Sequence, residues 1–165
     1  MRKPALLITA ATVLIAGALA VTSLGRAAAQ PGTLHLLGVP ASFLPVGAAA
    51  QHPNPKPGDQ VLLNDKLYAW HGAHRGVQLG HAESTMTFRT GFTKAGAQAE
   101  IVGQFFLPGG SILVEGFVKL SAGRSTLIAP IIGGTGRWNG ARGTLIGRDL
   151  TSQSSKTDLT FDFAY

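Results

Sequence analysis

Cysteine is missing from all 165 residues, so the chain has no disulfide framework, no thiolate chemistry and no lipidated cysteine anchor. Charge is scarce as well: Asp, Glu, Lys and Arg together make up 13% of the residues, and aromatic side chains 7%. The 14 basic and 8 acidic residues give a net charge of +6. Arg2, Lys3 and Arg26 belong to the N-terminal stretch, and without them 11 basic residues face 8 acidic ones. That surplus of +3 is unclustered, which argues against a nucleic-acid interface. After position 30 no segment carries an apolar stripe at the helical period of 3.6 residues. No G-x-S-x-G elbow occurs, so a serine hydrolase of that kind is not expected.

What is present begins with a targeting pattern. Arg2 and Lys3 precede an apolar run from Pro4 to Gly25, and Ala27-Ala28-Ala29 supplies the small residues a signal peptidase needs. This predicts a helical signal peptide over residues 1–29, cleavage before Gln30 and a secreted or otherwise extracytoplasmic protein. The run approaches the roughly 20 apolar residues that span a bilayer, so a retained anchor is the alternative. With the signal cleaved, no integral membrane association is expected. Residues 30–165 then form a single domain, long enough to bury a core without covalent staples.

Glycine is plentiful, at 22 residues, and it falls at the ends of short alternating runs. It reaches positive φ without steric cost and lets backbones approach closely. Strands are predicted at Thr33–Val39, Gln60–Tyr68, Gly76–Arg89 (with a break near Gly80), Ala97–Leu107, Ser111–Leu120, Ser125–Ile132, Ala141–Leu150 and Thr157–Tyr165. Between the first two, residues 40–58 are rich in Ala and Pro and read as an extended loop. In the last strand Leu159, Phe161, Phe163 and Tyr165 alternate with Asp158, Thr160 and Asp162. Eight antiparallel strands that remove their own edges by closing predict an all-β fold, an eight-stranded closed β-barrel.

Two blocks of this sequence carry a family likeness. GGSILVEG at 109–116, followed by PIIGGTGRWNGARG at 130–143, resembles the glycine-rich strand and turn of the allene oxide cyclase/dirigent barrel superfamily, in particular its bacterial members. GDQVLLNDKLYAWHGAHRGVQLG at 58–80 is similar to that family's G-D-x-x-x-x-N-K-L-Y segment. The resemblance implies an eight-stranded barrel with an apolar pocket, often trimeric, in which a reactive intermediate is confined and steered into one cyclisation or coupling outcome. It places the dirigent-type acid on Asp65 and the arginine of the glycine turn on Arg142. The chain also departs from the plant allene oxide cyclases. Their first strand supplies a carboxylate and an amide, whereas Thr33–Val39 here has neither, and their pocket cysteine is absent. Allene oxide cyclisation by that route is therefore not expected.

The candidate residues keep two readings each. Asp65, next to Asn64, is a pocket acid or a polar turn residue. Glu115, between Leu113 and Phe117, is a proton donor if its face is inward, or an outward group beside Lys119 if it is not. Arg142 binds an anionic head or stabilises developing charge, or else braces the glycine turn. Tyr68, Trp138 and Phe117 are candidate substrate-binding side chains, with core packing the plainer role. His71, His74 and His81 lack an acidic partner or helical spacing, so no metal is expected, and no organic cofactor either. The function these features predict is an exported barrel that binds an apolar small molecule and steers its cyclisation or stereoselective coupling, a cofactor-free isomerase or cyclase if an enzyme. The alternative is a non-catalytic secreted ligand-binding or surface-interaction module. The partners expected are an apolar small molecule and further copies in a homotrimer or homodimer.

Overall fold

Alternation of apolar and polar side chains drives every long element of this chain into a strand. The computed structural model describes residues 32–51, 54–72, 74–121, 125–151 and 155–164. The predicted signal peptide and Tyr165 lie outside the described residues. Eight strands follow in chain order: β1 (Thr33–Val46), β2 (Gln60–Trp70), β3 (Arg75–Phe88), β4 (Ala97–Leu107), β5 (Gly110–Leu120), β6 (Thr126–Gly134), β7 (Arg142–Asp149) and β8 (Thr157–Ala164). Each pairs antiparallel with the next and β8 returns to β1, so the sheet closes into a barrel.

The first strand is twice as long as the sequence pattern predicts. Residues 40–46 were expected in a loop, yet they pair with β2 through Pro40↔Asp65, Phe43↔Leu63 and Val46↔Gln60. Proline has no N–H to donate to a ladder, so it is favoured on strand edges and at irregularities. Beyond Gly38, β1 has a partner on one side only, since its pairing with β8 ends at Gly38↔Thr157. Pro40 and Pro45 therefore sit on an edge, where a missing N–H costs nothing. A bulge between Pro40 and Ser42 bends this ribbon of β1 and β2. The expected break near Gly80 is a second bulge: Leu67 pairs with Gly80 and Tyr68 with Gln78, leaving Leu79 extra. Glycine is required at that site, because a Cβ on Gly80 would lie 1.9 Å from the Phe106 carbonyl oxygen.

The two ends of the barrel differ. At the end reached by Thr33, Leu107 and Ala164, the interior is filled. Leu36, Phe105, Ile112, Leu145 and Phe161 pack with Trp138, which a 3₁₀ turn at Gly136–Trp138 tucks underneath as a plug. Gly110, at φ +151, makes the tight approach this plug needs; a Cβ there would sit 2.0 Å from the Thr135 carbonyl. At the other end Val61, Met86, Phe88, Ala97, Ala99 and Val118 form a separate, thinner cluster. Outward-facing apolar side chains remain on the wall, notably Phe117, which pairs directly with Ile128.

Candidate functional site

Inward positions along each strand decide how much room the barrel holds. On β2 they are Val61, Leu63, Asp65 and Leu67, and on β4 Ile101, Gly103 and Phe105. Cross-strand pairing puts Ala82 opposite Asp65 and Phe105, Ser84 opposite Leu63 and Gly103, and Gly147 opposite Leu127 and Leu159. Small residues thus face one another above a floor of aromatic ones. The space they leave is a cavity of about 410 Å³ lined by Asp65, Ser84, Gly103, Phe105, Val114 and Leu159, among others. That is within the range of small-ligand sites, about 300–1,000 Å³. It opens at the end opposite the Trp138 plug, where Phe43 stands at one lip and Asp149, Ser155 and Thr157 at the other.

Asp65 is the site's distinctive group. Removal from water disfavours the charged carboxylate, and this desolvation raises its pKa above the usual carboxylate value. The turn-residue reading of Asp65 does not describe its place, because it lies mid-strand between Asn64 and Lys66, both of which face outward. Asp149 is a second carboxylate on the same cavity, at the end of β7. It is anchored: the Ser125 backbone N–H donates to Oδ2 at 2.8 Å, and the Thr157 hydroxyl lies 3.5 Å from Oδ1. Asp149 is not among the residues that the sequence motifs single out. The signal was there in the period-two series Gly143, Leu145, Gly147, Asp149, which continues an inward face into the mouth.

The other candidates do not gather around this cavity. Glu115 and Phe117 are on the outer face of β5, with Phe117 65% exposed, because the inward set of that strand is Ile112, Val114, Gly116 and Val118. The inward reading of Glu115 is thereby corrected by register: Glu115, Phe117 and Lys119 share one parity and all are exposed. Arg142 lies at the plugged end, where its guanidinium donates to the carbonyls of Ile132 at 2.7 Å and Ala141 at 2.8 Å. Its geometry is the bracing one. Trp138 stacks on Phe163 with ring centres 5.3 Å apart and belongs to the floor, with the Arg137 guanidinium over its other face at 4.3 Å. Tyr68 is half-buried outside the cavity under the Arg75 guanidinium, 4.7 Å from the ring centre. His81 stacks on Phe106, 4.7 Å between centres. Among the described residues no three His, Cys, Asp or Glu side chains come together as metal ligands would. The structure therefore brings together Asp65 from the sequence-derived set and Asp149 from outside it.

No protein-family model and no curated protein matches this sequence. Solved structures do match in fold. A pyocyanin demethylase superposes with a TM-score of 0.63 at 17% identity, over 81% of this chain and 100% of that one. A pterocarpan synthase dirigent protein gives 0.58 at 15% identity, over 82% and 97%. An exo-specific intermolecular Diels-Alderase also gives 0.58 at 15% identity, over 81% and 98%. The barrel is thus of the type found in dirigent proteins and cycloaddition-catalysing barrels, as the two glycine-rich sequence blocks imply.

Proposed function

We propose that this chain is an exported ligand-steering barrel, whose cavity holds an apolar small molecule in one reactive conformer while Asp65 moves a proton during cyclisation or coupling. The observation that carries this reading is a cavity of about 410 Å³ with a partly desolvated carboxyl in its wall. Confinement supplies orientation, which alone is worth several powers of ten in rate for well-aligned groups. A carboxyl whose neutral form is favoured by burial serves as proton donor to an oxygen that gains charge as the ring closes, and recovers the proton afterwards. Ring closure rearranges the substrate's own bonds and consumes no co-reactant, whereas coupling would join radicals already formed by a separate one-electron oxidant, the barrel only orienting them. Asp149, fixed by Ser125 and Thr157, offers an acceptor at the mouth for a polar group of the ligand. The ligand that suits these walls is mostly apolar with one or two oxygens. The folds of the Diels-Alderase and the dirigent protein support the reading by analogy only. Assembly into two or three copies, expected from the family likeness, would use the wall at Phe117 and Ile128, which are paired and both exposed.

Native mass spectrometry of the protein purified from its own host tests this directly. The expected spectrum shows a bound small molecule and a mass of two or three copies. Ser84→Leu, which fills the cavity, should lose the ligand while keeping its β circular dichroism. Protein that emerges empty from its host would overturn the reading. The same measurement separates steering from mere sequestration: Asp65→Asn should retain the ligand unconverted if Asp65 does chemistry, and retain it unchanged from the parent if it does not. Arg142→Ala is expected to leave ligand retention intact and to cost about 1 kcal/mol in urea unfolding, the worth of the carbonyl bonds it makes. Lost ligand at unchanged stability would instead put the guanidinium in the site.

A further inference from the structure

The open end of the barrel carries a surface that ligand binding does not account for. Past Gly38 the β1–β2 ribbon stands clear of β8 and exposes apolar side chains at its tip. Phe43 is 60% exposed, Leu44 58% and Val46 39%, and Phe92, on the neighbouring β3–β4 connection, 44%. Around them, at the same end, stand the exposed side chains of Lys56, Lys94, Lys119 and Arg148. The acidic groups there are largely committed: Glu100 pairs with Arg89, Asp149 accepts from Ser125, and Asp59 is buried and accepts from the Lys56 backbone N–H. Asp158, half-buried on β8 with its Oδ1 shut off from solvent, stands in register with Arg148. The plugged end is different. Its cations are engaged: Arg75 on Tyr68, Arg137 on Trp138 and Arg142 on two carbonyls. Among the described residues its exposed large apolar side chains are Val77 on β3 and Ile132 on β6, which lie on separate strands.

We propose that this open end docks on an anionic lipid bilayer, the apolar tip entering the interfacial region and the lysines meeting the headgroups. Apolar side chains ringed by cations match such a surface in both of its properties, since the headgroup layer is negative and its boundary takes up apolar and aromatic groups. A protein partner would have to be acidic and apolar at once over the same curved ribbon. A second copy fits poorly, because two such ends would bring like charges together. Docking stands on this surface alone. Only its consequence rests on the proposed function: the mouth would face the membrane, and an apolar ligand would pass between bilayer and cavity without crossing water.

The absence of cysteine makes the test clean. In the full-length chain, Leu44→Cys and, at the plugged end, Asn139→Cys are each labelled with an environment-sensitive dye. With vesicles of phosphatidylglycerol and phosphatidylcholine, the label at 44 should shift to the blue and be quenched by spin-labelled lipid, while the label at 139 stays in water. Vesicles of phosphatidylcholine alone, or added salt, should weaken the response, and Phe92→Ser with Lys94→Glu should lower partitioning roughly tenfold or more. No response at 44 overturns the proposal. So does an equal response at both ends, which would report attachment through the N-terminal stretch. A label at 44 already shielded before lipid is added would mean that a second copy covers the ribbon, and overturns it too.

Discussion

Asp65→Asn should convert substrate about 10²–10⁴ times more slowly than the parent protein, and at pH 7 it should melt at a higher temperature. Both effects follow from the placement of one carboxyl in the wall of a largely apolar cavity. Desolvation raises the folded-state pKa of Asp65 above its value in the solvated, unfolded chain. Between the unfolded and the raised folded value, the folded state binds the extra proton, so stability falls as pH rises through that window. Above it the charged carboxylate is a constant burden. Asparagine keeps the shape, carries no charge and cannot give up a proton. Melting curves of the two proteins should therefore diverge as pH climbs out of the carboxylate range and converge at acid pH. Parallel curves at every pH would mean that Asp65 is solvated, and the proton-transfer role would go with it.

Phe161→Ala should lower the unfolding free energy by about 3–5 kcal/mol, a large share of the roughly 5–15 kcal/mol that holds a domain together. Phe161 is fully buried, meets Phe105 edge-on at 5.0 Å between ring centres and stacks toward Phe163 at 6.4 Å. It pairs in register with Leu145 and Leu34, so the void left by truncation is walled by rigid strands and cannot collapse. The comparison is Phe117→Ala, an equal loss of ring on the outer wall, which should change stability by no more than about 0.5 kcal/mol in dilute protein. Urea midpoints of the two variants give the contrast. Comparable losses would mean that the floor is not where the fold is held.

Much of this molecule could be read before its coordinates. Strict alternation at Leu159, Phe161 and Phe163 fixes the inward face of β8, and the glycines at 109–110 and 133–136 mark real turns. The stretch from Pro40 to Val46 was misread because proline is normally a strand breaker. Only three-dimensional pairing reveals that one side of this strand has no neighbour to satisfy. β5 was ambiguous for another reason: Leu113 and Phe117 are apolar yet face out, so composition alone cannot orient Glu115. Asp65 was reachable through the family likeness. Asp149 carries only the weak signal of the alternation that ends on it, and it becomes a cavity group where β7 and β8 reach the mouth. Which end of the cylinder is plugged was not legible at all. It depends on Trp138 leaving the strand pattern in a short turn.

The distance between Trp138 and the mouth has a bearing on how such a protein changes over generations. The larger core cluster sits toward one pole, around Phe161, and the open cavity toward the other, around Asp65, Ser84 and Asp149. Substitutions far apart without shared neighbours add independently. A lineage can therefore alter the cavity wall at Ser84, which lies outside that core, without drawing down the reserve that keeps the barrel closed. Barrels that share this shape at only 15–17% identity are consistent with such a separation.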